Sequence, residues 1–461
     1  MKNKGLNLFL KISLFCRNVL KFAPSFILCL VIASGAFAQN GYTLAAAIEY
    51  GMKHRTELVG YALDKSLAAE QVRAAQNVFL PRVDGALDVR DNAVRATSIL
   101  PGELRGKPGE QLAVQFGTQY STTASASVNQ AVYDATLLPR YRQLKLQAQT
   151  ADLNAAQMRQ EIALNITKAY YQTLLDAERL KVARASVSRY NTTLEQVRTQ
   201  LEGKRATNTD VKRAELNLRT AQSDVQHQEE LLAVDNATLA YQMGSNTNPT
   251  LTDKLEEVLV NNIAAPTDGG SAAKAETRPE YKAGQLQIQI NEAGLAVAKG
   301  QSLPTVSLYG YVGTQAQRNE FDFFDTQKQW YASVYFGAQV KVPLFDGLTR
   351  ANGIAQSRLQ LERSKNNLET TTANLNYEIN TATARLRAAQ TTLAARKANA
   401  ELAEQLLTDV RTRFAAGAAI ARDVQDAEYD LTNAQTTYLA TLYDVLAAKV
   451  DLDKANGTLA R

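Results

Sequence analysis

Two aspartates three residues apart, Asp423 and Asp426, follow closely after Gly417, which interrupts a long alanine-rich stretch of sequence. Carboxylates at the start of a helix are stabilised by the free backbone N–H groups and by the helix dipole. Asp423 falls where a helix N-cap is expected, and Asp426 falls in the first helical turn. Local chemistry therefore predicts that these two carboxylates cap and stabilise the start of a helix.

Other residues of the types used in catalysis or ligand binding have the wrong spacing for these functions. The two histidines, His54 and His227, lie far apart, outside any His/Glu pattern suited to a metal, and both are predicted to lie on the surface. The segment from Gly102 to Lys107 superficially resembles a phosphate-binding loop, but Pro108 follows where Ser or Thr is needed. No enzyme activity, cofactor or metal site is therefore predicted.

Long helices are predicted to position the aspartates. Proline is absent from residues 140–248 and 344–461, and each stretch has one glycine far from its ends, Gly203 or Gly417. Apolar residues on both sides of each glycine advance by steps of three and four, as in coiled coils. The pattern predicts two helical hairpins, one over 135–244 with its tip near 203–210 and one over 347–457 with its tip near 417–423.

An internal duplication organises the chain. Arg55, Glu57, Leu80 and Pro81 recur at one constant offset as Arg278, Glu280, Leu303 and Pro304, and Thr209-Asp210-Val211 corresponds to Arg422-Asp423-Val424. Such self-similarity predicts one fold made twice. The predicted units are a first repeat over 39–244, a linker over 245–275 and a second repeat over 276–461.

Strand pairs are predicted ahead of each hairpin, over about 82–134 and about 304–343. Their polar and apolar residues alternate over about ten positions, which is typical of transmembrane β-barrel strands. A face of a soluble β-sandwich fits the same alternation equally well. In a membrane, several chains would have to share one barrel, because four strands enclose no lumen and open edges are not tolerated in lipid.

The first 38 residues have the order of a secretory signal peptide: a basic start, an apolar run and small residues ending at Ala38. The alternative, a membrane anchor, is disfavoured because the run is well short of about 20 residues. The formal charge of +5 comes from this segment, which contains five basic residues and no acid. The remainder is neutral, so no nucleic-acid partner is predicted. Cys16 and Cys29 also lie in this segment, so neither a disulfide nor lipidation is predicted for the exported chain.

Several motifs occur together with the duplication: Val342-Pro343-Leu344-Phe345-Asp346-Gly347, Arg278-Pro279-Glu280, and the turn from Gly417 to Asp423. In this combination the chain resembles the TolC-like outer-membrane factor family over essentially its whole exported length. The resemblance implies a mainly α fold with β-strands, in which a homotrimer forms a twelve-stranded barrel that continues into a tunnel of twelve helices. It also implies an equatorial collar near 245–275, and loops at about 96–120 and 317–330 that face outside the cell.

The same resemblance implies an outer-membrane channel that extends into the periplasm and contacts outer-membrane lipid. As the exit duct of a tripartite efflux pump, it would receive small molecules such as drugs from an inner-membrane transporter and a periplasmic adaptor. A duct for type I protein secretion is the second possibility. A periplasmic coiled-coil protein that conducts nothing is the alternative from a different class.

For the tip, the resemblance implies that Asp423 and Asp426 of three subunits form charged rings at the channel constriction. It further implies that an adaptor docks on tip residues, here Gly203, Thr209, Asp210, Gly417 and Arg422. This sequence departs from better-known members in carrying Ala419 in place of a basic residue. It also differs from those members in having one extra residue between Gly203 and Asp210. In the first hairpin, Arg213 lies three residues after Asp210.

Overall fold

The computed structural model describes residues 41–101, 106, 109, 111–255, 257–258, 275–325 and 327–459. The predicted signal peptide, both cysteines and most of the predicted linker lie outside these residues. So does the segment that resembles a phosphate loop, apart from Gly106. The described chain is mainly helical, with one sheet of four strands and a small separate hairpin.

The helices follow one another in the same pattern in both halves of the chain. They are α1 (Leu44–His54), α2 (Thr56–Asn77), α3 (Leu137–Glu202), α4 (Asn208–Met243), α5 (Pro279–Gly300), α6 (Thr349–Ala415) and α7 (Ala421–Ala455). With 66 and 67 residues, α3 and α6 are each about 100 Å long. Among the described residues, no helix is apolar over a length sufficient to cross a bilayer.

Two antiparallel helical pairs form the body of the fold. Helix α3 packs against α4, α6 packs against α7, and α3 joins the two pairs by contacting α7. Their apolar residues are buried along these contacts, for example Tyr170, Leu239 and Leu442 in the middle and Phe414 and Val424 near the tips. The shorter helices α2 and α5 pack on the opposite ends of α3 and α6 from the tips.

The duplication is visible in two equivalent joints between helices. The Arg55 guanidinium donates to Glu57 (2.7 Å) and to the carbonyl of Tyr241 at the end of α4 (2.8 Å). In the second half, Arg278 is buried and donates to Glu280 (2.8 Å) and Glu378 (2.7 Å). Each arginine therefore fastens the start of a short helix, α2 or α5, to a long one.

The main sheet contains β1 (Arg82–Asp91), β4 (Tyr120–Tyr133), β5 (Thr305–Arg318) and β6 (Tyr331–Lys341), paired antiparallel in the order β1-β4-β5-β6. A small hairpin of β2 (Thr97–Pro101) and β3 (Gln111–Gln115) lies in the segment 96–120, which the sequence predicted as a loop. The prediction missed this hairpin because each strand has only five residues, too few to establish an alternation.

The two faces of the main sheet differ sharply. Register pairs align Val83 with Val128, Val128 with Gly310, and Gly310 with Phe336 on one face, which is apolar and exposed. Phe336 is 91% exposed. The opposite face carries charged, hydroxyl and amide side chains and four tyrosines, among them Arg82, Asp84, Ser125, Asn129, Tyr309, Tyr311, Tyr331, Tyr335 and Gln339. Within the part of the chain that the structure describes, β1 and β6 each have one unpaired edge.

Candidate constriction at the helical tip

The turn between α6 and α7 is built on Gly417. Its backbone is left-handed, with φ +76°, and the next residue, Ala418, donates its N–H to the carbonyl of Arg413 (2.8 Å). This arrangement closes the end of α6 and reverses the chain within a few residues. Because an L side chain strains this conformation, glycine is the favoured residue here.

The first tip has the same geometry, but glycine does not occupy the left-handed position. Lys204 has φ +54°, whereas Gly203 has φ −76° and stands where α3 ends. Arg205 N–H donates to the carbonyl of Gln200 (2.8 Å), which matches the bond made by Ala418. Lys204 is therefore the counterpart of Gly417. Counted from the left-handed residue to the capping aspartate, the two turns of this chain have equal length.

Asp423 is the third residue of α7, and Ile420 is the N-cap; the sequence had placed Asp423 itself at the N-cap. The carboxylate still caps the helix, because its Oδ2 accepts from the Ile420 N–H (3.1 Å). Asp210 occupies the equivalent place in α4, where it accepts from the Thr207 N–H (2.9 Å) and hydroxyl (2.7 Å). These bonds hold the pKa of Asp210 below its usual value.

Asp423 and Asp426 lie on one surface of the tip. Both are exposed and line a groove of about 360 Å³ between α6 and α7, together with Asp430. The only ion pair of Asp426 among the described residues is with Arg422, one turn earlier and 3.6 Å away. The first hairpin has Arg213 at the equivalent position, so its tip lacks this acidic surface. The predicted docking residues Gly203, Thr209, Gly417 and Arg422 are exposed at the same end, and Asp210 is half-buried.

A buried ion network lies beside this acidic surface, and sequence reasoning missed it. Glu428 is fully buried in α7, where it binds the Arg189 Nε of α3 (2.7 Å) and the guanidinium of Arg411 of α6. Arg189 also donates to the hydroxyls of Ser186 (2.7 Å) and Thr432 (3.3 Å). The network thus fixes both helices of the second hairpin to the first. The sequence signal was available, because Glu428 interrupts the apolar stripe of α7.

Neither histidine bonds to the tip aspartates among the described contacts. His54 stacks on Tyr50 and lies 2.9 Å from that residue's carbonyl oxygen. His227 is exposed and lines a groove of about 680 Å³ between α3, α4 and α7, which also reaches Arg422 and Asp426. Within the described parts of the chain, no cluster of His, Cys, Asp and Glu could hold a metal ion.

Comparison with known proteins agrees with this architecture. The sequence profile of the family described as "Outer membrane efflux protein" matches residues 52–245 and 273–458. The chain is 22% identical to the outer membrane protein TolC of Vibrio cholerae serotype O1, over 95% of its own length and 96% of the relative's. It is 22% identical to the proteases secretion protein PrtF of Dickeya chrysanthemi, over 94% and 92% of the two chains. It is 21% identical to the outer membrane efflux protein BepC of Brucella suis biovar 1, over 96% and 92%.

Solved structures share the fold. CusC superposes with a TM-score of 0.75 at 16% identity, covering 90% of this chain and 91% of CusC. VceC from Vibrio cholerae superposes with a TM-score of 0.70 at 16% identity, covering 90% and 96%. The resemblance to TolC-like proteins and the mainly helical fold with a sheet are thereby confirmed. Because the profile matches most of both halves, the chain belongs to the outer membrane efflux protein family.

Proposed function

We propose that this protein is the outer-membrane exit duct of a tripartite export system. The main sheet carries the proposal, because it has one apolar exposed face, one polar face and two unpaired edges. A transmembrane barrel requires this combination, with apolar side chains toward lipid and polar ones toward a lumen. The family and its channel neighbours also support a location in the outer membrane.

Assembly as a homotrimer would remove the open edges. Unpaired backbone groups at a sheet edge cannot remain exposed to lipid, so β1 of one copy must pair with β6 of the next. Three copies would close a barrel of twelve strands, which is wide enough for a lumen, whereas four strands are not. The helical pairs of three copies would continue this wall as a tunnel, since exposed apolar residues such as Leu359, Tyr377 and Leu402 remain along α6.

At the tip, three copies of Asp423 and Asp426 would form rings of negative charge around the axis. Their exposure on one surface makes them available for this role. Rings of carboxylates in a narrow pore favour cations. The exposed turns would dock a periplasmic adaptor tip to tip, with an inner-membrane transporter behind it. Cysteines placed at Thr209 or Arg422 should then cross-link to the adaptor, and failure with a verified partner would contradict this docking.

The material that passes through the duct is proposed to be small molecules such as drugs. The name of the relative BepC refers to efflux, and its similarity extends over most of both chains. Protein export is the second candidate, because the equally similar PrtF is named for protease secretion. Identifying the transporter and adaptor that co-purify with the protein distinguishes the two.

Membrane extraction tests the proposal as a whole. The protein should be found in the outer membrane, require detergent for release, have the native mass of a trimer and form ion channels in planar bilayers. Release into the soluble periplasm without channel activity would instead support the non-conducting coiled-coil alternative.

A further inference from the structure

The loop between β5 and β6 ends in an aromatic cluster that contacts the sheet. We call residues 319–325 and 327–330 the rim loop. Arg318 pairs with Tyr120, and Ala316 pairs with Thr122, in the last rows of the ladder. Because side chains alternate along a strand, these four residues share the face of Val312 and Phe336, which is the apolar face.

The rim loop covers this end of the apolar face. Ala316, Thr122 and Arg318 are only 1%, 4% and 8% exposed, whereas Val312 lower on the same face is 52% exposed. The Arg318 guanidinium lies 5.4 Å from the centre of the Phe323 ring, and that ring is itself buried. The loop therefore folds back onto the outward face of the sheet instead of projecting away from it.

Aromatic rings hold the loop in this position and also extend beyond it. The Phe321 ring packs edge-to-face on Tyr120 (5.6 Å) and on Phe323 (5.5 Å), and Phe323 lies 6.3 Å from Trp330. On the outer side, Phe321 and Phe324 remain 58% and 88% exposed. An apolar patch of this kind continues the exposed apolar surface of the strands.

The two cations of the loop region pair with one of its carboxylates. Asp322 accepts from the Arg318 guanidinium (3.0 Å) and pairs with the ammonium group of Lys328. Because Glu320 and Asp325 are exposed as well, the loop has no surplus of positive charge that would attract an anionic soluble ligand. The exposed aromatic rings of the loop suit a membrane interface.

The height of the loop on the sheet matches the edge of a bilayer. The lowest apolar row pairs Val306 with Val340, and the highest pairs Thr122 with Ala316. These rows are separated by about 34 Å of strand, or about 26 Å along the membrane normal at a tilt of about 40°. The apolar band of transmembrane barrels is about 25 Å tall and is bordered by aromatic residues. The rim loop lies just at its upper border.

We infer that the rim loop is a membrane-interface anchor, in which Phe321, Phe324 and Trp330 contact the outer-leaflet lipid around the channel. This inference rests on the proposed function, because it requires the apolar face of the sheet to face lipid. It adds a lipid contact to the expectation, implied by the family resemblance, that residues 317–330 form a loop facing outside the cell.

The only tryptophan of the chain, Trp330, lies in this loop and reports its position directly. The full exported protein is reconstituted in phosphatidylcholine vesicles whose acyl chains carry bromine either near the headgroup or near the chain end. We expect the shallow bromines to quench Trp330 fluorescence about twofold more strongly than the deep ones, because aromatic belts lie at headgroup level. Quenching by aqueous acrylamide alone, with no effect of either bromolipid, would overturn the inference.

A matched variant separates this inference from the proposed function. In the double variant Trp330→Phe, Phe336→Trp, the tryptophan moves to the middle of the apolar face, where deep bromines should quench more strongly than shallow ones. If deep bromines quench this variant and no bromolipid quenches the wild type, the result would contradict the anchor without contradicting the proposed channel. If neither protein is quenched by bromolipid, the sheet does not face lipid, and the proposed function fails too.

Discussion

The acidic surface of the tip depends on a single difference between the two hairpins. Asp426 in α7 and Arg213 in α4 occupy equivalent positions, while Asp423 and Asp210 both cap their helices. In a trimer, the paired carboxylates around the axis would therefore come only from the second hairpin of each copy. Asp423 is both a cap and an exposed charge, so a substitution that keeps the side-chain shape is the appropriate test.

We predict that Asp423→Asn combined with Asp426→Asn weakens the cation preference of the channel, because the carboxylate rings lose their charge while the side chains keep their size. Planar-bilayer recordings in a salt gradient measure this preference. Asp210→Asn is the matched control, because it alters a helix cap that has no second aspartate three residues later, and the cation preference of this variant should change much less. An unchanged cation preference in the double variant would contradict a constriction formed by Asp423 and Asp426.

The two tip glycines are predicted to respond differently to alanine. Gly417→Ala should lower stability by about 1–2 kcal/mol through backbone strain alone, since no atom lies within 4 Å of the added Cβ. Gly203→Ala should be near neutral, because Gly203 has φ −76° and its added Cβ would make only ordinary contacts. Urea unfolding followed by helical circular dichroism compares the variants. Equal losses in both would contradict the assignment of Lys204 as the left-handed residue.

At the level of elements, the two hairpins are fastened to each other through charge as well as apolar contact. Removing one member of a buried ion network leaves the others uncompensated and costs about 3–5 kcal/mol. Glu428→Gln should therefore strongly destabilise the contact of α3 with α7 and increase channel opening. The control is Glu229→Gln, whose exposed pair with Arg184 (2.8 Å) should contribute at most about 1 kcal/mol. Similar unfolding midpoints for the two variants would contradict the role of Glu428.

The contact between α3 and α4 contains two facing carboxyls, Asp176 and Asp235. Asp176 is buried, and burial together with a hydrogen bond that protonated Asp235 donates to Asp176 raises the pKa of Asp235 to about 7. The folded state then binds this proton more tightly than the unfolded chain, so stability falls as the pH rises from about 4 toward 7. Asp235→Asn should remove this contribution, giving a flatter dependence of the urea midpoint on pH than the wild type. If the urea midpoints of the variant and the wild type changed in parallel with pH, the result would contradict this contribution of Asp235.

Sequence patterns predicted the elements better than they predicted the details that join them. The steps of three and four that identified α3 and α6 extend over many turns, so the helices were clear without any tertiary information. The left-handed role of Lys204 could not be predicted, because residue type favours the neighbouring Gly203. The ion pair of Glu428 could not be predicted, because its partner Arg189 is distant in sequence and comes close only when the two hairpins pack.

For the whole molecule, the decisive feature is the open-edged sheet. The edge strands β1 and β6 are separated within one chain by two strands, or about 14 Å. A disulfide needs Cα atoms within about 7 Å, so a bond between these edges can form only between copies. The chain's own cysteines, Cys16 and Cys29, lie in the predicted signal peptide and would not interfere.

Cysteine cross-linking between the edges therefore tests the trimeric barrel most directly. Leu87→Cys on β1 is combined in turn with cysteine at Ala332, Val334, Phe336 or Ala338 on β6, and outer membranes are oxidised and analysed on denaturing gels. We predict that at least one pair gives a ladder of dimer and trimer that stops at the trimer. No cross-linked species with any pair, or a ladder that continues beyond the trimer, would contradict a closed barrel of three copies.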